Sequence, residues 1–423
     1  MLSLALALLP LSSQDKPPAA AEQKALIEAY VAAEGAAEGA ADWRSEAGRA
    51  ERRRILARLD TVALTAATAA AQQKKVLDAW EKGRELGKDT GQAFFWEKEK
   101  RGLYIVGGQT RKPRALAICM HGGGVGEGEA SSAQGAYEEA LRGLDWLAIY
   151  PEVLEKTECG WTDSGSEEFV LELVDAARRT WKLSPERVFL VGHSMGGYGS
   201  WTLGAHHADQ WAGLAPSAGA PTPYLDRGTG KVVDISAGVV PNLRNVALRI
   251  YQSDDDPRVP PDANRFAVER LKEAQQRWGG FDFEYWEVAG RAHDAPPGGF
   301  EAHLAKLAET ERTTHPDTVV WQPTLPWKWQ SYWLFWETPV SEALVVARAD
   351  RAKNEVRVEC DKDARGLYVL VDEHLVDPKK ELVVFLNGAE VFRGVPAPSL
   401  AAIVATGSRG DPELAYRARV PLF

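Results

Sequence analysis

The stretch that decides the fold is Val188-Phe-Leu-Val-Gly-His-Ser-Met-Gly-Gly-Tyr-Gly199. Its first half, led by Arg187, is a short apolar run suited to a strand buried on both faces. Its second half sets Gly192, Ser194 and Gly196 in the spacing Gly-x-Ser-x-Gly. A serine on a tight strand-to-helix turn sits in a strained backbone conformation, and its neighbours need hydrogen in place of side chains. Such a turn lifts the hydroxyl out of the sheet toward a base and a substrate. The residues from Tyr198 to Ala208 read as the helix that follows.

Three further segments extend the pattern in chain order. Upstream, Leu116-Ala-Ile-Cys-Met-His-Gly-Gly-Gly124 is an apolar strand running into a histidine and three glycines. A turn of this kind lets backbone N–H groups approach a developing oxyanion. Downstream, the strand Val246–Gln252 leads into Ser253-Asp-Asp-Asp-Pro-Arg-Val-Pro260. The alternating run Phe281–Val288 then opens into Ala289-Gly-Arg-Ala-His-Asp294. The resulting order, serine then acid then histidine, differs from the orders of chymotrypsin and subtilisin.

On His121-Gly-Gly-Gly124, Gly192-His-Ser-Met-Gly-Gly197, Asp256-Pro-Arg-Val-Pro260 and Gly290-Arg-Ala-His293, about half of the chain resembles the α/β-hydrolase superfamily. Within it the chain is most similar to the esterase branch of dienelactone-hydrolase-like, polyhydroxybutyrate-depolymerase-like and feruloyl-esterase-like enzymes. The resemblance implies an α/β fold with a mostly parallel central sheet and helices on both faces. It implies a carboxylic-ester hydrolase with Ser194 as nucleophile and His293 as general base and acid. The pattern Asp-x-x-Val-Pro selects Asp256 to orient His293, with Asp254 as the alternative and Asp255 beside them. The oxyanion donors implied are the N–H of Met195 and that of Gly122 or Gly123, with His121 bracing the loop. Of the other histidines, His303 is a weaker candidate for the base, and His315 and His374 lie in or beyond a linker. Trp161, in the loop after the strand Trp146–Tyr150, is the expected substrate contact, against a role in anchoring that loop. Ser217–Thr222 is a second expected pocket wall.

Two other readings stay open. A prolyl-oligopeptidase-like peptidase shares the fold and triad order, although no propeller-sized region precedes the catalytic segment here. A binding protein on a hydrolase scaffold would keep the fold and use its tryptophans to hold a polymer or peptide.

Length and composition set the frame. A chain of 423 residues exceeds a single core. At 45% hydrophobic residues its composition is that of a globular protein. A net charge of −10, without a basic cluster, argues against nucleic acid as partner. The partner expected is a small-molecule or polymer-linked ester. No stretch reaches the length of a membrane span, and no spacing of His, Cys or acids resembles a metal site, so neither metal nor cofactor is expected. The three cysteines, Cys119, Cys159 and Cys360, leave one unpaired whatever the redox state.

The chain divides into four expected parts. Residues 1–13 are apolar and precede a proline-rich segment, as in an export signal, although a basic start is missing; the expectation is a periplasmic or secreted protein, with the cytoplasm as the alternative. Residues 14–93 are rich in Ala, Glu, Arg and Lys and read as a helical extension bracing the catalytic domain, 94–312. Residues 318–423 read as a small β-rich domain. It opens with Trp321, Trp327, Trp329, Trp333 and Trp336, and Asn387-Gly388 marks a hairpin in it. The tryptophan row reads as core or domain seam in preference to a ligand platform.

Overall fold

The computed structural model describes residues 16–34, 42–97, 101–158 and 160–423. The expected export segment, 1–13, and Cys159 lie outside the described residues.

Three helices come first: α1 (Ala20–Glu34), α2 (Glu46–Asp60) and α3 (Ala66–Trp80). The Ser45 hydroxyl accepts the Gly48 N–H to start α2, and Thr65 and Thr68 cap α3 reciprocally. Residues 61–65 separate α2 from α3.

The central region contains β1 (Ala93–Phe95), β2 (Leu103–Gly108), β3 (Ala115–Met120), α4 (Ala130–Gly143), β4 (Trp146–Pro151), α5 (Ser166–Trp181), β5 (Val188–His193) and α6 (Met195–His206). It continues with β6 (Gly213–Ser217), the hairpin β7 (Pro223–Leu225) and β8 (Val232–Ile235), α7 (Val239–Asn242) and β9 (Ala247–Ser253). α8 (Asp262–Trp278), β10 (Phe283–Val288) and α9 (Gly299–Leu304) complete it. Eight of these strands form one sheet in the order β1-β2-β4-β3-β5-β6-β9-β10. The β1–β2 and β2–β4 pairs are antiparallel, and every other pair is parallel. This is the α/β-hydrolase arrangement.

The inner strands are apolar along their whole length because helices cover both faces. On one face α5, α6 and α8 pack Leu173, Trp201 and Leu271 against Ile118, Leu190 and Leu248. On the other, Tyr137 and Leu141 of α4, with Leu304 and Leu307, cover Cys119, Phe189 and Val191. β3 and β6 flank β5 in register, Cys119 beside Val191 and His193 beside Ser217. The loops leaving the C-terminal ends of these parallel strands therefore converge on one edge, where ligands of such sheets bind.

The rest of the chain forms β11 (Thr318–Trp321), β12 (Gln330–Ser331), β13 (Leu334–Trp336), β14 (Val345–Asp350), β15 (Glu355–Cys360), β16 (Leu367–Val371), β17 (Leu382–Leu386), β18 (Ala389–Gly394), α10 (Leu400–Gly407) and β19 (Ala418–Pro421). They build a five-stranded sheet, β11-β14-β15-β17-β18, and a four-stranded sheet, β12-β13-β16-β19. Asn387 and Gly388 both take positive φ, 48° and 84°, in the turn between β17 and β18. Trp321, Trp329, Trp333 and Trp336 are all 2% exposed or less. These four are core, each buried indole worth on the order of 4–6 kcal/mol by area removed from water, while Trp327 is half-buried with its ring 5.5 Å from that of His207.

The N-terminal helices differ from the expected brace on the catalytic region. Leu26, Tyr30, Ile55, Leu56, Leu59 and Val76 share one core with the C-terminal strands and with α10. The reason lies in α10, whose eight residues are all buried and need apolar partners on every side. Gln73 donates to the Ala415 carbonyl at 2.5 Å, and Ser399 donates to Asp60 at 2.6 Å, closing the same contact with polar bonds.

Candidate active site

Ser194 stands between β5 and α6 with φ 59° and ψ −122°, a conformation that L side chains rarely adopt. The backbone is held there by its N–H, which donates to the Ser217 carbonyl at 2.9 Å. A Cβ on Gly192 would stand 2.2 Å from the Gly196 carbonyl oxygen, and one on Gly196 2.2 Å from that of Met120. The Gly-x-Ser-x-Gly spacing is thus a steric requirement of the turn. The helix starts at Met195, three residues before the sequence reading placed it, because Ser194 is itself the residue that caps α6.

His293, on the loop after β10, places its Nε2 2.9 Å from Ser194 Oγ. Its Nδ1 lies 2.7 Å from Asp256 Oδ2. The other oxygen of Asp256 accepts the N–H groups of Arg258 and Val259 at 2.8 and 2.9 Å. One oxygen of Asp256 thus takes two backbone N–H donors while the other faces His293 Nδ1, and Nε2 faces the serine hydroxyl. Asp256 is 4% exposed. Its neighbours point elsewhere. Asp254 is at the surface, and Asp255 accepts from the Ser253 hydroxyl at 2.6 Å and the Ala292 N–H at 2.9 Å. These two bonds, led by that from Ser253, hold the Asp255 carboxyl below its usual range.

The glycine run after β3 meets the elbow. A Cβ on Gly122 would lie 3.1 Å from both Ser194 Cβ and the His193 carbonyl oxygen, so its backbone abuts the serine. Gly123 has φ +138°, and a Cβ there would sit 2.9 Å from Glu127. Met195 opens α6, so its N–H has no acceptor within the helix and lies at the positive end of the helix dipole. Gly122 and Met195 thus bring main chain to the serine, while Gly123 turns the loop against Glu127 and Gly128.

His121 accepts the Val153 N–H on Nε2 at 3.2 Å, so its Nδ1 carries the proton and donates to the Gly122 carbonyl at 2.8 Å. Burial lowers its pKa and keeps it neutral. Trp161 has no exposed surface, and its indole N–H donates to the His121 carbonyl at 2.9 Å. Packed under Gly199 of α6, it anchors the loop and does not reach substrate space, which corrects the expected contact. Ser217, Ala218 and Ala220 are buried as well, so this expected wall lies beneath the site.

The remaining histidines lie elsewhere. His303 is 1% exposed with Nε2 2.8 Å from the Arg249 carbonyl. His315 and His374 stack on each other at 4.4 Å. Sequence reasoning missed His193, whose ring nitrogens meet Ser217 Oγ at 2.9 Å and the His293 carbonyl at 3.3 Å. It stood inside the quoted motif, but nothing in the spacing shows which loop returns above it. Among the described residues no cluster of His, Cys, Asp and Glu has a metal-binding arrangement, and no helix is long and apolar enough to cross a membrane. Cys119 and Cys360 are free and buried in different cores.

No protein-family model and no curated protein sequence matches the chain. Solved structures similar to it include a thermostable esterase at 17% identity and TM-score 0.39, over 52% of this chain. That match spans 63% of the esterase, under two thirds of its length. An acetyl xylan esterase from Aspergillus awamori is similar at 12% identity and TM-score 0.40, over 51% of this chain and 98% of its own. A ferulic acid esterase from Anaeromyces mucronatus, solved with ferulic acid, is similar at 18% identity and TM-score 0.37, over 55% and 95%.

Proposed function

We propose that this protein is a serine hydrolase that cleaves carboxylic esters through an acyl-enzyme on Ser194. The observation that carries the reading is the hydrogen-bonded line from Asp256 to His293 to Ser194, at 2.7 and 2.9 Å, on a strained strand-to-helix turn. In this mechanism His293 Nε2 takes the hydroxyl proton as Ser194 Oγ attacks the ester carbonyl. Asp256 holds the tautomer and stabilises the imidazolium that forms. The N–H of Met195 and that of Gly122 or Gly123 receive the charge developing on the carbonyl oxygen. The imidazolium then gives its proton to the leaving alcohol, leaving an acyl ester on Ser194. Water, deprotonated by the same nitrogen, releases the acid and restores the serine. The substrate is a small-molecule or polymer-linked ester, and the reaction draws on no cofactor.

The test is labelling by a fluorophosphonate together with hydrolysis of short p-nitrophenyl esters, in the wild type, Ser194→Ala and His293→Ala. Labelling and turnover that require both residues are expected. A folded wild type that is neither labelled nor active overturns the assignment, and labelling without ester turnover redirects it to peptide bonds.

A further inference from the structure

We infer that His193 is a positioning residue for the base, gripping the main chain of His293 while the adjacent Ser194 engages its imidazole. The inference rests on the proposed roles of Ser194 and His293. Two successive residues of one turn thus hold the two ends of residue 293: Ser194 Oγ at the ring, 2.9 Å, and His193 Nε2 at the carbonyl, 3.3 Å.

The hydrogen bonds fix the form of His193. A carbonyl oxygen only accepts, so Nε2 bears the proton, and Nδ1 accepts from the Ser217 hydroxyl at 2.9 Å. Ser217 is fully buried and also holds the Ser194 N–H through its own carbonyl. The ring of His193 lies 5.0 Å from that of His293 and 5.7 Å from that of Phe300. Burial, and then the neighbouring His293, push the His193 pKa down to about 4, so it stays neutral near pH 7. Asp256 and Asp294 act on it in the opposite sense, more weakly than burial. With both nitrogens committed to Ser217 and a carbonyl, His193 stands outside the proton path.

The loop it grips needs holding. Ala292 lies at φ +47° and Gly290 at +70°. On one side the loop is pinned by the Ser253 hydroxyl, which accepts the Arg291 N–H at 3.0 Å, and by Asp255, which accepts that of Ala292 at 2.9 Å. On the elbow side His193 supplies the bond. A displacement of a catalytic group by 1 Å costs roughly 100-fold in rate. A bond joining the base's backbone to the nucleophile's own turn therefore controls the distance on which catalysis depends.

The test uses the full chain with His193→Phe, which keeps a ring of similar size and removes both bonds, and His193→Gln, which restores an N–H donor. Active-site labelling by a fluorophosphonate, kcat and KM for a p-nitrophenyl ester and the thermal midpoint are measured. The expected result for His193→Phe is a fall of about 10- to 100-fold in kcat and labelling rate, with KM within about twofold. His193→Gln, which restores the donor, recovers part of the loss. Ser217→Ala, which removes only the donor to Nδ1, gives a smaller loss in the same direction and serves if the phenylalanine variant does not fold. Unchanged kcat and labelling with a lowered thermal midpoint would overturn the inference and leave His193 a packing residue. A wild type that Ser194→Ala matches in labelling overturns the parent reading itself, and this inference with it.

Discussion

Replacing Asp209 with alanine tests the seam between the hydrolase sheet and the C-terminal strands. Asp209 lies just after α6 and is 1% exposed. Its carboxylate receives Lys328 Nζ at 2.6 Å on one oxygen and Arg409 at 2.8 Å on the other, both from the C-terminal part of the chain. Its main-chain carbonyl accepts from Arg312 at 2.8 Å, and Arg312 in turn pairs with Asp411 at 2.5 Å. Burial opposes the charge of Asp209, but Arg409 and Lys328 outweigh it and hold the carboxyl well below its usual range. Lys328 shares its counter-ion with Arg409, so burial and that neighbouring cation prevail and lower its pKa to about 8. Removing one partner of a buried ion pair costs about 3–5 kcal/mol, because the charge left behind has no water. In Asp209→Ala the lysine sheds its proton near neutral pH, which keeps the cost within that range. For a region of this size the loss corresponds to a thermal midpoint lower by roughly 10 °C. The sign of the pH dependence follows from proton counts. With its folded pKa further depressed, Lys328 of the variant binds a proton only in the unfolded chain from neutrality to about pH 10, whereas in the wild type this begins near pH 8, so the deficit narrows by about 1.4 kcal/mol between pH 7 and pH 8 and is constant above. Scanning calorimetry of wild type and variant at pH 7 and pH 9 should show a large deficit that narrows at the higher pH. A midpoint within about 2 °C of wild type at pH 7, or a deficit independent of pH, refutes the reasoning.

Asp256→Asn should lower kcat/KM for p-nitrophenyl esters by roughly 10⁴-fold, as in the serine-protease precedent where the tautomer is lost, while Asp254→Asn stays within about twofold; equal effects would mean that the acid is misassigned. Gly122→Ala should lower kcat tenfold or more with little change in thermal midpoint, since its Cβ would press on Ser194 Cβ and the His193 carbonyl at 3.1 Å. Burial lowers the pKa of His193 and of His303 from 6.5 to about 4, so the unfolded chain binds more protons than the folded one between those values. Stability should therefore fall as pH drops from 6.5 to 4, by about 1.4 kcal/mol per unit for each histidine, and urea titrations at pH 6.5 and 4.5 giving equal stabilities would contradict this.

The eight-stranded sheet was legible because its signals are local. An inner parallel strand has to be apolar throughout, so the strand Leu116–Met120 and Arg187–Val191 declare themselves, and the glycines of the elbow are demanded by contacts within a few residues. Asp256 was picked from its neighbours only by the Asp-x-x-Val-Pro pattern of the resemblance, and the N–H groups of Arg258 and Val259 that fold back on its carboxylate have no signal of their own in sequence. What escaped the sequence depends on chain segments far apart. Trp161 sits in a loop at the catalytic edge, and only its indole bond to His121, 40 residues away, shows that it points inward. His193 needed the return of residue 293, 100 positions later. The tryptophan row was read as core or seam in preference to a ligand platform on the general habit of indoles, since no local pattern shows which way an indole faces.

The two ends of the chain follow the same logic over a longer distance. α1 to α3 look self-sufficient in sequence, with good helix formers and caps, yet each presents an apolar face too small to bury alone. α10 has the opposite defect, being apolar all round. The contacts of α10 with α2 and α3 resolve both, and they bring residues near 60 against residues near 400. The first three helices and the last hundred residues are therefore one folding problem around one core, and the buried charges at Asp209, Lys328 and Arg409 fix where that core meets the hydrolase sheet. Cutting the chain after the last catalytic element would strip α2 and α3 of their partner and Asp209 of both cations at once. The hydrolase region is thus expected to depend on both ends of the chain, although every residue assigned to chemistry lies between them.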